Sequence, residues 1–297
     1  MPTNFRFVFF GTSHIARFAL EEIVMAGFIP SLIVTAPDAP QGRGHIMTPS
    51  IISDWADAHG IPTFKPEKIT PEVVAQLSED WDAFVVIDYG YILPKSLLDI
   101  SKHGTLNIHP SLLPRLRGPS PLRSAILTDE KENGVTVMLM DEKMDHGPII
   151  AQEHITFAEW PPRIAEFEET LARAGGRILA EVLPKWINNE IEAHPQDHSQ
   201  ATFCKMIAKE HGLLELAQIK TKEDAYQALL KIRAHEGWPG TFAFFERNGV
   251  RIRTKIIDAQ LAADGSLQIT RVIPEGKREM SYEEFLRSGA TPSASSS

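Results

Sequence analysis

Runs of apolar residues alternate, along the first half of the chain, with segments whose apolar residues recur at helical spacing. The runs predict strands, and Phe5–Phe10 is apolar on both faces, which is typical of a strand inside a parallel sheet. Strands that alternate with helices favour an α/β fold, a Rossmann-like and mostly parallel sheet. The predicted strands are Phe5–Phe10, Ser31–Thr35, Pro62–Phe64, Ala83–Ile87, Gly104–His109, Val135–Met140 and Ile149–Phe157.

Helices are predicted between these strands, because apolar residues return there every three or four positions. Their predicted bounds are Ile15–Met25, Ile51–His59, Thr70–Ser78, Pro94–Ile100, Pro121–Leu127 and residues 162–184. Prolines and glycines punctuate Ala36–Ser50, which therefore predicts a long loop.

The pattern changes in the last third of the chain. A polar stretch is followed by a predicted helix over 222–233 and predicted strands Thr241–Glu246, Val250–Ile256 and Leu267–Thr270, with a hairpin turn at Asn248-Gly249. We expect an α/β domain over residues 1–188, a linker over 189–205, a small β-rich domain over 206–288 and a disordered tail over 289–297.

Composition excludes several classes of protein. The 297 residues are 43% hydrophobic and 23% charged, an ordinary globular mixture that excludes wholesale disorder and a fibrous repeat. A single cysteine, Cys204, excludes an internal disulfide and a cysteine-based metal site. No apolar run approaches the roughly 20 residues that a membrane span needs, and the first residues lack the layout of a secretory signal. We therefore expect a cytoplasmic protein.

Charge is distributed unevenly. The net charge is −9; residues 201–297 hold 14 basic and 12 acidic residues, and the first 200 hold 16 and 27, a balance of −11. An acidic surface does not attract a polyanion, so binding to nucleic acid would need the C-terminal part and local basic loops. Arg251, Arg253 and Lys255 alternate on one face of a predicted strand, a pattern that fits phosphate contacts and also fits a solvated strand.

Candidate chemistry concentrates between Asn107 and Asp145. Asn107 and His109 share one face of a predicted strand at its carboxyl end, where open α/β sheets bind ligands. Asp145 follows the next strand, and a neighbouring strand end would bring its carboxylate beside His109. An imidazole exchanges protons near neutral pH, a carboxylate stabilises its charged form, and an amide N–H holds a developing oxyanion.

This set suits direct acyl transfer to an amine through a tetrahedral intermediate. The structural alternatives are a loop histidine, a local backbone hydrogen bond for Asn107, and a turn or helix cap for Asp145.

The segment Asn107-Ile-His-Pro-Ser-Leu-Leu-Pro-Arg-x-Arg-Gly118, followed by Met144-Asp-x-Gly147, resembles the signature of the formyltransferase family. Within that family the sequence resembles the methionyl-tRNA formyltransferases, and the resemblance covers almost its whole length. The resemblance implies a formyltransferase domain followed by a small OB-like β-barrel. It also implies 10-formyltetrahydrofolate as formyl donor and the amino group of methionyl-initiator-tRNA as acceptor.

By the same resemblance, His109 would be the base or proton shuttle, Asn107 would donate to the formyl oxyanion, and Asp145 would orient His109 and stabilise its cation. The residues that would line the folate site are Ser111, Leu112, Leu113 and Pro114, with Ile87 and Tyr89 either packing on the pterin or belonging to the core. No metal is expected, because the formyl donor is already activated. A monomer is expected.

Contacts to tRNA would come from Arg43 in the loop Pro37–Pro49, and from Arg251, Arg253 and Lys255. His45-Ile46 replace the lysines that follow the Arg-Gly pair in the family, which weakens the basic character of this loop. A surface loop shaped by glycine and proline is the structural alternative.

Three other functions fit parts of the sequence. A formyltransferase acting on a nucleotide-linked amino sugar would keep the same catalytic set. A dinucleotide-dependent oxidoreductase is disfavoured, because the turn at Gly11-Thr12-Ser13 lacks the G-x-G-x-x-G spacing. A nucleic-acid-binding module with an inactive enzyme domain is disfavoured by the intact Asn107, His109 and Asp145.

Overall fold

The computed structural model describes residues 5–41 and 44–293, and the chain divides into two compact units. The first unit consists of the chain up to Gly118 with Glu132–Thr156 and Glu168–Phe203. The second consists of Pro119–Lys131, Phe157–Phe167 and the chain from Cys204 onward. Two segments of the domain expected over 1–188 thus belong to the second unit, and most of the expected linker belongs to the first.

Nine strands lie in the first unit, among its described residues. They are β1 (Phe7–Phe10), β2 (Leu32–Val34), β3 (Ala39–Gln41), β4 (Ile46–Thr48), β5 (Thr63–Phe64), β6 (Ala83–Val86), β7 (Thr105–His109), β8 (Asn133–Leu139) and β9 (Ile149–Ile155). Seven of them form one sheet in the order β5-β2-β1-β6-β7-β8-β9. Strands β5, β2, β1, β6 and β7 pair in parallel, and β8 and β9 add antiparallel pairs at one edge. The predicted Rossmann-like sheet is confirmed.

The helices begin at residues that can cap them. Ser13 accepts hydrogen bonds from the amides of Ile15 and Ala16, and Thr70 precedes a proline at the first helical position. The helices of the described chain are α1 (His14–Met25), α2 (Ile51–Ala58), α3 (Pro71–Gln76), α4 (Lys95–Leu98), α5 (Pro121–Leu127), α6 (Ile164–Ile187), α7 (Lys222–Ala234) and α8 (Tyr282–Arg287).

Strand β1 shows why the sheet is buried on both faces. Phe7 and Phe9 belong to the core cluster that includes Leu20 of α1, whereas Val8 and Phe10 belong to the cluster that includes Leu97 of α4. Because successive side chains of a strand point to opposite faces, one apolar run supplies both layers. Strand β7 follows the same alternation, and Leu106 and Ile108 enter the first cluster.

The second unit contains a five-stranded antiparallel sheet in the order β13-β12-β11-β10-β14. Its strands are β10 (Thr241–Arg247), β11 (Val250–Leu261), β12 (Leu267–Pro274), β13 (Met280–Ser281) and β14 (Thr291–Ser293). The predicted C-terminal β domain is confirmed. Asn248 and Gly249 both have positive φ angles, of 53° and 76°, as the two-residue hairpin turn requires.

Two local expectations differ from the structure. The predicted loop Ala36–Ser50 contains the antiparallel pair β3–β4, because a ladder of backbone hydrogen bonds can form between strands too short to show an apolar alternation. Thr291–Ser293, expected in the tail, form β14 and pair with β10. The segment Thr-Pro-Ser has no apolar pattern that would predict a strand, since the backbone alone makes the ladder.

Candidate active site

Strand β7 carries the two polar side chains predicted for the site. Asn107 lies on the face opposite Leu106 and Ile108 and is half-buried, and His109, which ends the strand, is 4% exposed. The Asn107 side chain makes no hydrogen bond within the described residues, so its amide is available to a ligand. One strand therefore places an unpaired amide and a buried imidazole two residues apart.

The His109 ring contacts two different loops. Its Nε2 atom lies 3.0 Å from the carbonyl oxygen of Leu116, and its Nδ1 atom lies 3.6 Å from Oδ1 of Asp145. A carbonyl only accepts, so the hydrogen bond at Nε2 requires that nitrogen to carry the proton. Neutral His109 then has its lone pair on Nδ1, on the side of the Asp145 carboxylate.

Asp145 is held by a backbone amide. Its Oδ2 atom accepts a hydrogen bond of 2.7 Å from the amide of Gly118. The Asp145 backbone has a φ of 49°, in the left-handed region that non-glycine residues seldom adopt. Two residues later, a Cβ atom at Gly147 would overlap the carbonyl oxygen of Leu139, so only glycine fits there. The turn 145–147 is thus packed in one position.

The carboxylate reaches His109 by a route that differs from the predicted one. Because β8 runs antiparallel to β7, the carboxyl end of β8 lies near Leu106 rather than near His109. The chain after Leu139 therefore has to turn back before Asp145 meets the ring. The predicted juxtaposition of imidazole and carboxylate is observed, whereas the predicted neighbouring strand end does not provide it.

The loop after His109 is tied to β8. The hydroxyl of Thr136 donates to the carbonyl of Ser111 at 2.6 Å and accepts from the amide of Leu113 at 3.1 Å. Gln152 donates to the carbonyl of Leu113 at 2.8 Å, and the Leu113–Pro114 peptide is cis. Ser111 and Leu113 are buried, and Leu112 and Pro114 are half-buried.

Two residues expected at a folate wall lie in the core. Ile87 is 1% exposed and packs in the cluster with Phe9, and Tyr89 is 3% exposed and packs in the cluster with Phe10. Burial raises the pKa of the Tyr89 phenol far above its ordinary value. Of the two alternatives stated for these residues, the structure places both in the core.

Sequence reasoning missed a polar network behind the turn at Asp145. Arg117 is 3% exposed and donates through Nε and an Nη atom to the amide oxygen of Gln196, at 3.1 and 2.5 Å. The amide nitrogen of Gln196 donates to the carbonyls of Asp145 and Gly147. Gln196 lies in the polar stretch expected as a linker, where no periodicity marks a functional residue.

His198 completes the edge of this network. Its Nδ1 atom lies 2.9 Å from an Nη atom of Arg117, and its ring stacks on that of His146 at 4.1 Å. Loss of hydration lowers the pKa of His198, and the positive charges of His146 and Arg117 lower it further.

The proposed tRNA contacts on β11 are accompanied by aromatic rings. The guanidinium of Arg251 lies 3.7 Å from the ring centroid of Phe244, and that of Arg253 lies 3.8 Å from that of Phe242. Lys255 is exposed. Arg43 lies outside the described residues.

The described residues contain neither a cluster of metal ligands nor a membrane-spanning helix. No group of three or more His, Cys, Asp or Glu side chains is arranged to hold a metal ion there. None of the helices in the same residues is both long and apolar enough to span a membrane.

Comparison with known proteins identifies the family. The family described as Formyl transferase matches residues 5–183, which is more than half of the chain. The chain belongs to the formyl transferase family. The family predicted from the sequence is therefore confirmed.

Similar formyltransferases cover both compact units. The chain is 41% identical over 256 residues to a methionyl-tRNA formyltransferase of Chloroflexus aggregans, which covers 85% of this chain and 80% of that protein. It is 33% identical over 304 aligned residues to the methionyl-tRNA formyltransferase of Bacillus subtilis, which covers 95% of this chain and 94% of that protein.

Solved formyltransferases share the fold. One is the N-formyltransferase of Helicobacter canadensis in complex with folinic acid and dTDP-3-aminofucose, with a TM-score of 0.62 and 21% identity over 86% of this chain and 87% of that one. Another is a 4-N formyltransferase of Francisella tularensis, with a TM-score of 0.63 and 18% identity; the match covers 84% of this chain and 96% of that one. At these identities the similarity shows the fold alone.

Proposed function

We propose that this protein transfers a formyl group from 10-formyltetrahydrofolate to the amino group of methionyl-initiator-tRNA. The observation that carries the acceptor is the extent of similarity to proteins named for that reaction, which reaches 94% of the length of the Bacillus subtilis relative. A match confined to the first unit would support formyl transfer without supporting a particular acceptor.

Asn107 is proposed to hold the oxygen of the formyl group. Its amide is half-buried and has no partner among the described residues, so it can donate without breaking an existing hydrogen bond. A preorganised donor stabilises the negative charge that develops on this oxygen as the amine attacks.

His109 is proposed to receive the proton that the amine loses. Donation from Nε2 to Leu116 leaves the lone pair on Nδ1, so Nδ1 is the basic atom. Asp145, 3.6 Å from Nδ1, favours the protonated ring once the proton has arrived. In this proposal Leu116 orients the ring and Asp145 stabilises its charge.

The atoms of the reaction balance without a metal or an oxidant. The methionyl nitrogen bonds to the formyl carbon, and a tetrahedral intermediate forms. The bond between this carbon and N10 of the folate then breaks. The proton taken by His109 passes to the departing folate nitrogen, so the enzyme returns to its starting state.

The loop Ser111–Pro114 is proposed to line the folate site. Thr136 and Gln152 hold its backbone, and its half-buried residues Leu112 and Pro114 offer apolar surface for a flat ring. Burial of Ile87 and Tyr89 in the core leaves them out of this proposal.

For tRNA, we propose contacts from Arg43, Arg251, Arg253 and Lys255. Phosphate contacts by arginine and lysine supply affinity without reading sequence. A role in translation initiation implies that the protein works in the cytoplasm. Asn107, His109 and Asp145 come from one chain, so a monomer suffices for the chemistry.

The test is an assay of the purified protein with 10-formyltetrahydrofolate and either charged initiator tRNA or a nucleotide-linked amino sugar. We expect formyl transfer to the tRNA only, and its loss in His109→Ala. The matched control is His154→Ala, which removes an exposed histidine of β9 and should keep wild-type activity. Transfer to the amino sugar but not to the tRNA would replace the proposed acceptor.

A further inference from the structure

Residues 194–203, which we call the strap, contact both loops that meet at His109. His194 exchanges backbone hydrogen bonds with Ile149 of β9, at 2.7 and 2.8 Å. At the other end, Thr202 and Phe203 pair with residues 114–117. A segment with so few apolar residues is therefore held by polar contacts rather than by a hydrophobic core.

Gln196 is the residue of the strap whose burial requires an explanation. It is 5% exposed, whereas His194, Pro195 and residues 197–200 are exposed. Burying an amide without partners is unfavourable, because the amide loses its hydrogen bonds to water. The cost is avoided here because both donors and the acceptor of Gln196 are occupied.

The contacts of Gln196 fix the orientation of its amide. Its oxygen accepts from Arg117, which can only donate, so its nitrogen must point the other way. That nitrogen donates to the carbonyl of Asp145 at 2.9 Å and to the carbonyl of Gly147 at 2.7 Å. All four hydrogen bonds of the Gln196 amide are therefore consistent with this one orientation.

These two donations hold the backbone that carries the Asp145 carboxylate. The turn contains a residue at φ 49°, a strained conformation for a residue other than glycine that persists only where its surroundings hold it. Without Gln196, both carbonyls would lose a buried partner, and the turn could relax. The carboxylate would then leave its position 3.6 Å from Nδ1 of His109.

The same strap holds the opposite side of the His109 ring. The hydroxyl of Thr202 accepts from the amide of Leu116 at 2.8 Å, and the amide of Arg117 donates to the carbonyl of Thr202 at 2.9 Å. Leu116 is the residue whose carbonyl receives Nε2–H of His109. Gln196 and Thr202 thus support the two partners of one imidazole.

We propose that Gln196, held by Arg117, is a positioning residue that sets the distance between Asp145 and His109. The inference rests on the proposed function in one respect, the use of this pair during formyl transfer. Gln196 itself touches no reacting group and acts only through the backbone of the turn.

Two substitutions of different character test this role. Gln196→Glu is isosteric and keeps an oxygen for Arg117, but it presents a second oxygen to two carbonyls. Gln196→Met removes both donors without adding charge, and it serves if the glutamate variant does not fold. Gln200→Glu is the matched control, because Gln200 lies exposed on the same strap, and its side chain has no partner among the described residues.

We expect kcat to fall about 10- to 100-fold in both Gln196 variants, because a displacement of about 1 Å at a reacting group costs that much. The KM values for folate and for tRNA should stay within about threefold of wild type, since neither substrate touches Gln196. Gln200→Glu should match wild type. An unchanged kcat, or KM values that change as much as kcat does, would overturn the proposal.

A structural readout separates this inference from the proposed function. If the wild-type protein uses another acceptor, the same comparison is made with that acceptor. If it is inactive with every acceptor, the proposed function fails, and crystal structures of wild type and Gln196→Glu still decide the inference. We expect the distance between Asp145 Oδ1 and His109 Nδ1 to increase by about 1 Å or more. An unchanged distance would overturn the positioning role.

Discussion

Individual residues determine which nitrogen of His109 is basic. Nε2 lies 3.0 Å from the Leu116 carbonyl, whereas the Asp145 carboxylate lies 3.6 Å from Nδ1 and makes no hydrogen bond with it. A carboxylate at this distance interacts with the ring through its charge and makes no hydrogen bond that would fix the orientation of the ring. We therefore expect that substitution of Asp145 changes the rate rather than the placement of His109.

Asp145→Asn keeps the shape of the side chain and an oxygen for the Gly118 amide, and it removes the charge. We expect kcat to fall by about 10²–10⁴, the range for a lost contribution to proton transfer, with the folate KM nearly unchanged. Steady-state kinetics measures both quantities. Asp141→Asn is the control, since that carboxylate pairs with His146 instead. An unchanged rate would reduce Asp145 to a residue of the turn.

His235 is a second buried histidine, in the other compact unit, and neither of its ring nitrogens has a hydrogen-bond partner among the described residues. It is 1% exposed; burial lowers its pKa to about 4, and the charges of Lys231 and Arg123 act in the same direction. Between pH 6.5 and about 4, His235 is protonated in the unfolded chain and neutral in the folded chain. Stability is therefore lost as the pH falls from 6.5 towards 4.

His235→Leu should remove this pH dependence. Between pH 7.5 and 4.5 we expect the wild type to lose about 2–3 kcal/mol more free energy of unfolding than the variant, because the pKa of His235 is about 4 in the folded chain and near 6.5 in the unfolded one. Urea unfolding at the two pH values measures it, and all other titrating groups are shared. An equal loss in both proteins would mean that His235 is protonated in the folded state.

At the scale of elements, β10 and β11 place rings and cations on one face. Their register sets Phe242 opposite Lys255 and Phe244 opposite Arg253. Directly opposite residues of an antiparallel pair project from the same face, so the stripe seen in the sequence of β11 gains an aromatic half from β10. Aromatic rings and arginines together suit a single-stranded or terminal part of a nucleic acid.

The change Arg251→Gln, Arg253→Gln and Lys255→Gln in one protein should weaken tRNA binding without affecting folate. We expect the slope of log affinity against log salt to become shallower by about 2–3, close to one for each lost phosphate contact. Titration with tRNA at several salt concentrations measures the slope. Arg287→Gln is the control, because that arginine pairs with Glu283 on α8. Equal slopes would leave this face as a solvated surface.

At the scale of the molecule, the second unit includes segments far from the C-terminal third. Asp129, which follows α5, accepts hydrogen bonds from Tyr226 at 2.7 Å and from Trp160 at 2.6 Å. Burial and this carboxylate raise the pKa of Tyr226 to about 12. Arg123 of α5 donates to the carbonyl of Ala234 at 2.6 Å. A cut at residue 205 would therefore divide a packed unit.

Deletion of residues 206–297 should raise the KM for tRNA more than that for folate. It should also lower the Tm by several degrees, since roughly 1 kcal/mol corresponds to 2–4 °C in a domain of about 200 residues. Calorimetry and steady-state kinetics measure the two effects. The triple β11 variant leaves the second unit intact, so it should raise the KM for tRNA without changing the Tm or the KM for folate. A deletion that leaves Tm unchanged would show that the contacts of Asp129 and Arg123 add no stability.

The sequence predicted the regular elements because each depends on neighbours in the chain. Apolar runs indicated β1, β6 and β7, and helical spacing indicated α1 and α6. Asn248-Gly249 indicated its hairpin through the backbone angles that these residues tolerate. Strands of only three residues, such as β3, β4 and β14, are too short to show a periodic pattern and were missed.

The sequence by itself determined the family and the α/β class, and it predicted Asn107, His109 and Asp145 as candidate site residues, since a motif and a strand period are local properties. Only the tertiary structure decided which residues of the candidate site are in contact. Antiparallel β8 set the path to Asp145, the carbonyl of Leu116 accepts the hydrogen bond of the His109 ring, and Gln196 lies behind the turn. These contacts join residues up to 51 positions apart, and a hydrogen bond across such a distance depends on how the elements pack.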